Sequence, residues 1–258
     1  LSGFLFAGGT NMTNLWLMII GGALLTASSN GFNQIWERDL DKLMDRTKKR
    51  PLVTGSMSVT EAWIVAILSG AIGLALLFAI NLTCGVLGLI SIFLYVLVYT
   101  PMKRVTAWSV LVGAFPGAFP PMIGAVAASG QFTELAGILF FVQFMWQFPH
   151  FWAIAWVVHE DYQKAGFFML PSKKGKSKGT AFQIALYALI LIPVSLLPWL
   201  RDMTGNITLV IATVVGAIFF LLCHRLYITL DDKMAKRVMF FSFIYLPIIQ
   251  FLYVFDKI

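Results

Sequence analysis

The feature that most limits how this chain can fold is its set of long apolar blocks. They fall at about 13–34, 61–80, 84–100, 107–128, 135–158, 181–200, 206–226 and 237–255. Each approaches the roughly 20 residues that a helix needs to cross a bilayer. In hydrocarbon a segment must pair its own backbone N–H and C=O groups, and a helix does this within itself. A shorter apolar stretch, Leu1 to Ala7, reads as the tail of one more helix. The expected fold is all-α: a polytopic transmembrane bundle of nine helices, the first truncated, in a single membrane-embedded domain over 1–258. Charged residues make up only 12% of the chain, where a soluble domain carries about 25%.

The charges between the blocks are sorted. Of the nineteen Lys and Arg, all but Arg201 and Lys257 fall in alternate loops: 38–50, Lys103 and Arg104, 164–178, and 225–237. Basic loops stay on the cytoplasmic side, so the alternation fixes an orientation. It also supports the span count, since merging two blocks would break it. The net charge of +7 therefore points to topology and an anionic ligand, with no nucleic acid as partner. Cys84 and Cys223 both lie in apolar blocks without a CxxC or Cys/His cluster, which argues against a disulfide framework or a zinc site.

Acidic residues collect on the same side as the bases, and topology does not require that. Asn33, Glu37, Asp41 and Asp45 stand four residues apart. On a helix that spacing stacks an amide and three carboxylates on one face, and the like charges repel. A hard cation would relieve the repulsion. Magnesium takes oxygen ligands and bridges a few carboxylates to substrate phosphates. The alternative is a solvated helix end, since Arg38, Lys42 and Arg46 interleave. Next comes Arg46-Thr-Lys-Lys-Arg50-Pro51, a basic run suited to phosphate oxygens or simply to topology. Tyr99 and Lys103, with Arg104, end the fourth block, where such residues also serve as interfacial anchors.

Two further features lie around the sixth span. His150 sits in the aromatic string Trp146 to Trp152. An ionisable side chain within a span is a functional candidate, and histidine is a common axial ligand of heme iron. Just beyond, Glu160 and Asp161 form a second acidic pair, followed by Lys164.

Taken together, these residues resemble the UbiA superfamily of membrane prenyltransferases. That family has nine helices and two aspartate-rich motifs that hold magnesium and an isoprenyl diphosphate. Its first motif, N-x-x-x-D-x-x-x-D, corresponds to Asn33, Glu37 and Asp41, with Glu in place of the usual first Asp. Its R-x-x-x-R-P corresponds to Arg46, Arg50 and Pro51, and its Y-x-x-x-K to Tyr99 and Lys103. The strings Tyr99 to Arg104, Gly113 to Gly124, Trp146 to Trp152 and Asp161 to Gly166, then Met169-Leu-Pro171, resemble the branch that farnesylates protoheme IX. The second motif departs from the general D-x-x-x-D, because Ala165 stands four residues after Asp161.

The resemblance implies a reaction and its site. Asn33, Glu37, Asp41 and Asp161 would hold Mg2+. Arg46, Arg50, Tyr99, Lys103, Arg104 and Lys164 would bind the diphosphate of farnesyl diphosphate. Lys103 would also share the catalytic work with the metal-holding residues, and His150 would contact heme. The vinyl group of protoheme IX would attack the farnesyl carbon, and water would add to complete heme O. The expected setting is a multi-pass protein of a bacterial plasma membrane, its active site on the cytoplasmic side and its product handed to a heme A synthase or a terminal oxidase. Two rivals stand beside this reading. One is prenyl transfer to an aromatic quinone precursor, which needs no intramembrane histidine. The other is a transporter, which would place acids deep within the spans.

Overall fold

The computed structural model describes residues 1–172 and 174–258. Its elements in chain order begin with α1 (Ser2–Phe6), α2 (Met12–Asp41), α3 (Pro51–Thr54), α4 (Val59–Ile80) and α5 (Leu82–Phe93). A π-helical turn, Leu94–Tyr99, leads into α6 (Thr100–Met102). Then follow α7 (Ser109–Ser129), α8 (Glu134–Val157), α9 (His159–Lys164), α10 (Lys178–Ser195), α11 (Leu197–Leu200), α12 (Asn206–Thr229) and α13 (Asp232–Phe255). Eight of these segments are long and apolar enough to cross a membrane, with Leu82–Met102 and Lys178–Leu200 each acting as one span. They coincide with the eight apolar blocks, and α1 supplies the partial ninth.

Local chemistry sets the helix starts. Asn11, Asn81, Thr133 and Ser177 each cap an N-terminus by accepting a hydrogen bond from a backbone N–H in the first turn. Ser58 and Glu61 form a reciprocal capping box at α4. Such caps satisfy donors that a helix start leaves open. At the sparsely charged end, Asp256 accepts from the Thr208 N–H at 2.6 Å and closes the start of α12.

Small residues let the helices approach. Gly21 on α2 and Gly73 on α4 face each other so closely that a Cβ on either would press the other's carbonyl. Ser28 Oγ reaches the Ala66 carbonyl at 2.7 Å across the same seam. Packing of small residues and hydrogen bonds, rather than water exclusion, drive such contacts in lipid. α7 and α8 form the centre of the bundle, whereas α4, α5 and α12 present rows of exposed apolar side chains such as Ile64, Ile67, Leu89 and Val214. Those faces suit acyl chains.

One expectation is corrected here. α2 stops at Asp41, and the chain turns through Lys42 to Met44. Asp45 therefore leaves the acidic column, which consists of Asn33, Glu37 and Asp41 only.

Candidate functional site

The basic end of the bundle carries a polar cluster at the mouth of an apolar cavity. Asn33, Glu37 and Asp41 are buried on successive turns of α2, with 7%, 5% and 1% of their surface exposed. Each is held differently. Asn33 Nδ2 donates to Thr100 Oγ1 at 3.4 Å. Lys103 Nζ stands 2.6 Å from Glu37 Oε1 and forms a buried ion pair with it. Arg50 donates to Asp41 Oδ2 at 2.6 Å, and Asp41 Oδ1 is buried without a partner. A buried carboxylate oxygen without a donor is costly, so Asp41 Oδ1 is ready for a cation or a donor. All-oxygen donors suit Mg2+, which commonly takes one or two carboxylates and completes its shell with phosphate and water. The residues thus fit the metal, although among the described residues no three carboxylates converge as a ready-made cage.

The π-helical turn places the second wall. Pro101 has no N–H, and its ring would crowd the carbonyl four residues back in an α-helix. The widened turn relieves this, and both the N–H and the hydroxyl of Thr100 turn to the Tyr95 carbonyl, the hydroxyl at 2.8 Å. Such turns recur at functional sites. Tyr95, Tyr99 and Lys103 then follow one another toward the mouth: the two rings lie 5.2 Å apart, and Lys103 Nζ stands 4.9 Å from the Tyr99 ring centre. Burial pulls the Lys103 pKa below its ordinary value, against the opposing pull of Glu37.

Two loops close over this cluster. The Arg46 N–H donates to Asp161 at 3.2 Å, and the Arg46 guanidinium reaches Tyr162 Oη at 3.2 Å while lying over that ring. Burial raises the Tyr162 pKa, with Arg46 opposing. Lys164 bridges Asp45 at 2.8 Å and Asp161 at 3.2 Å. Hydrogen bonds from Lys164 and then Lys48 lower the Asp45 carboxyl to about 2. For Asp161 burial is the largest single influence and raises the pKa, but bonds from the Arg46 N–H and Lys164 together outweigh it and leave the value lowered. The Phe168 N–H donates to the Lys103 carbonyl at 2.7 Å, tying the segment after α9 to the second wall.

Behind the mouth lies a cavity of about 780 Å³ between α2, α5, α7 and α8, within the usual range for a small-molecule site of roughly 300–1,000 Å³. Gly22, Ala23, Thr26, Pro116, Phe119 and Ile123 are among its walls, and Tyr95 and Tyr99 stand between it and the polar cluster.

The structure thus gathers Asn33, Glu37, Asp41, Arg46, Arg50, Tyr99, Lys103, Asp161 and Lys164 at one end. Arg104 is exposed and makes no ion pair among the described residues. His150 is buried in α8 but turned to α13: its Nδ1 lies 2.7 Å from Ser242 Oγ, and its ring stacks on Trp146. Its neighbours Gln147 and Phe151, rather than His150 itself, line the cavity. Sequence reasoning missed Tyr162, Thr100 and Gln147. A carboxamide within an apolar span was a readable signal for Gln147; the other two depend on contacts across distant segments.

Comparisons with known proteins identify the family and the fold. Residues 1–245 match the model of the UbiA prenyltransferase family. The chain is 46% identical over 254 residues to the protoheme IX farnesyltransferase of Cytophaga hutchinsonii, covering 97% of this chain and 88% of that one. It is 49% identical over 261 residues to the protoheme IX farnesyltransferase of Christiangramia forsetii, covering 98% and 86%. Its fold is similar to that of a UbiA homolog from Archaeoglobus fulgidus bound to DMAPP and Mg2+, with a TM-score of 0.73, 20% identity, and 98% and 93% of the two chains covered.

Proposed function

The chain belongs to the UbiA prenyltransferase family, and we propose that it transfers the farnesyl group of farnesyl diphosphate to the vinyl group of protoheme IX, giving heme O and releasing diphosphate. Relatives at 46% and 49% identity over nearly the whole chain carry the name of that activity. It is an integral membrane enzyme. Its place is a bacterial plasma membrane with the basic end on the cytoplasmic side, in keeping with the retention of Lys and Arg there. From that membrane heme O passes on to a heme A synthase or a terminal oxidase.

The observation that carries the reading is the junction of two opposite environments. Buried carboxylates, one oxygen of Asp41 left open among them, and converging cations sit at the mouth of an apolar cavity. A lipid-tailed diphosphate needs both. Asn33, Glu37 and Asp41 would hold Mg2+, in keeping with a UbiA homolog that is bound to DMAPP and Mg2+, and the metal's charge would favour departure of the diphosphate. Asp161, positioned by the Arg46 backbone N–H and by Lys164, would add a further carboxylate to the metal's oxygen donors. Arg46, Arg50 and Lys103 share the developing negative charge, with Tyr99, Arg104 and Lys164 at the rim. Preset cations aimed at a leaving group are the strongest lever such a site has. The apolar walls keep stray water from the allylic cation. His150 contacts the heme from the seam between α8 and α13.

The test uses membranes from cells with and without this protein, labelled farnesyl diphosphate and two acceptors. Label should appear in heme extracts when protoheme IX is supplied. Label in 4-hydroxybenzoate, and none in heme, would overturn the acceptor in favour of a quinone precursor.

A further inference from the structure

We propose that the side-chain carbonyl of Gln147 holds the water that is added to the vinyl-derived carbon after farnesyl transfer. The inference rests on the reaction proposed above and assigns one more residue to it.

The orientation of this carboxamide is fixed by its partners. Gln147 is 2% exposed on α8. Its Nε2 donates to the Ala114 carbonyl at 2.9 Å and to the Gln143 carbonyl at 3.3 Å. Both neighbours are acceptors, so the nitrogen must occupy that position and both of its hydrogens are used. The oxygen is left as the open end, with no donor among the described residues. It lies against Gly117, where a Cβ would overlap Oε1, and Gln147 and Gly117 both line the cavity.

α7 provides two such notches, one turn apart. At Gly113 an added Cβ would come within 2.8 Å of the Tyr99 ring. Gly117 stands four residues farther from the basic end, about 6 Å deeper along the axis. Tyr99 therefore borders the diphosphate mouth, and Gln147 lies about one turn farther in, where the carbon-carbon bond would form. Thr26 and Ser29 on the facing wall spend their protons on carbonyls of their own helix, whereas Gln147 presents an amide oxygen, the stronger acceptor, held in place by both of its N–H bonds.

The chemistry needs an acceptor at that depth. The vinyl π electrons attack C1 of the farnesyl group as the C1–O pair leaves with diphosphate. This leaves a cation on the carbon attached to the macrocycle. A lone pair of water forms the new C–O bond, and one water proton departs to the diphosphate. An amide oxygen is too weak a base to keep that proton. It can accept a hydrogen bond from the water and point the lone pair at the cation. Without a held water the same cation sheds a carbon-bound proton and gives a conjugated alkene, one water lighter.

The test is product composition from full-length Gln147→Met and Gly117→Ala proteins in native membranes, with labelled farnesyl diphosphate and protoheme IX. Gln147→Met keeps the side-chain length and removes the acceptor; Gly117→Ala keeps Gln147 and displaces its oxygen. The ratio of hydrated to dehydrated farnesyl heme should fall about tenfold in both, the scale of one hydrogen bond. A merely structural role would lower total transfer at an unchanged ratio, and that result in either folded variant overturns the proposal. A wild-type protein that makes no farnesyl heme would instead overturn the reaction itself.

Discussion

Lys103 and Glu37 form an ion pair in which both side chains are under a tenth exposed, with Nζ 2.6 Å from Oε1. The pair joins α2 to the end of α6 at the mouth of the cavity. Burying two charges is costly, and their mutual attraction roughly offsets that cost while both are present. Removing one partner should destabilise the protein by about 3–5 kcal/mol, because the other charge is stranded. Glu37→Gln and Lys103→Met should thus each lower the Tm of the purified protein, and the double variant should recover much of the loss. Farnesyl transfer should stay absent in all three. A double variant with normal transfer would remove both residues from the site.

Asp41 gives a sharper test of the metal. One oxygen is bound by Arg50 and the other is buried and open. Asp41→Asn keeps the shape and loses the charge. Transfer should fall by on the order of 100-fold or more, the usual effect of deleting one preset electrostatic group, while membrane insertion is unchanged. Wild-type protein stripped by a chelator should lose activity and regain it with Mg2+. Full turnover by stripped protein would sink the metal role of Asn33, Glu37 and Asp41.

The loop clasp should respond to salt rather than to pH. Asp45 and Lys164 are both exposed, and each shifts the other. The depressed Asp45 carboxyl contributes in full above its unfolded pKa, and the contribution is lost as pH falls through about 2. The raised Lys164 amine contributes in full below its unfolded pKa and loses this as pH rises through its folded value. Neither titrates between about pH 5 and 9. Lys164→Ala should therefore raise the KM for farnesyl diphosphate equally across that range, with the difference shrinking as salt screens the exposed pair. A KM ratio that changes with pH inside this window would contradict the assignment.

What the sequence made legible was periodic and local. The apolar blocks located every long helix, and the four-residue spacing found Asn33, Glu37 and Asp41. Errors arose where a local rule met an unseen boundary. Asp45 matched the spacing, but the helix ended at Asp41. α13 begins five residues before its apolar block, capped by Asp231 and charged at Asp232, Lys233 and Lys236. Tyr162 meets Arg46 across 116 positions, and Gln147 takes its orientation from the Ala114 carbonyl on another helix, with room for its oxygen where Gly117 lacks a Cβ. Neither relation has a period to reveal it. The aromatic string did mark His150, yet sequence could not tell which way it faced.

That facing leads to the last prediction. Ser242 Oγ donates to the Met239 carbonyl at 2.5 Å, so only its lone pairs remain for His150 Nδ1 at 2.7 Å. His150 must be the donor in that contact, which sets the tautomer and leaves the lone pair on Nε2. Nε2 has no protein partner among the described residues. If it ligates heme iron, purified protein loaded with protoheme IX should show the absorption of a nitrogen axial ligand, and His150→Ala should lose it. Ser242→Ala frees the tautomer and should weaken protoheme binding about tenfold, as loss of an orienting partner commonly does. If the His150→Ala spectrum matches that of the wild type, iron ligation by this residue is wrong. The His150–Ser242 bond is then a tie between α8 and α13, and its loss would register in the Tm alone.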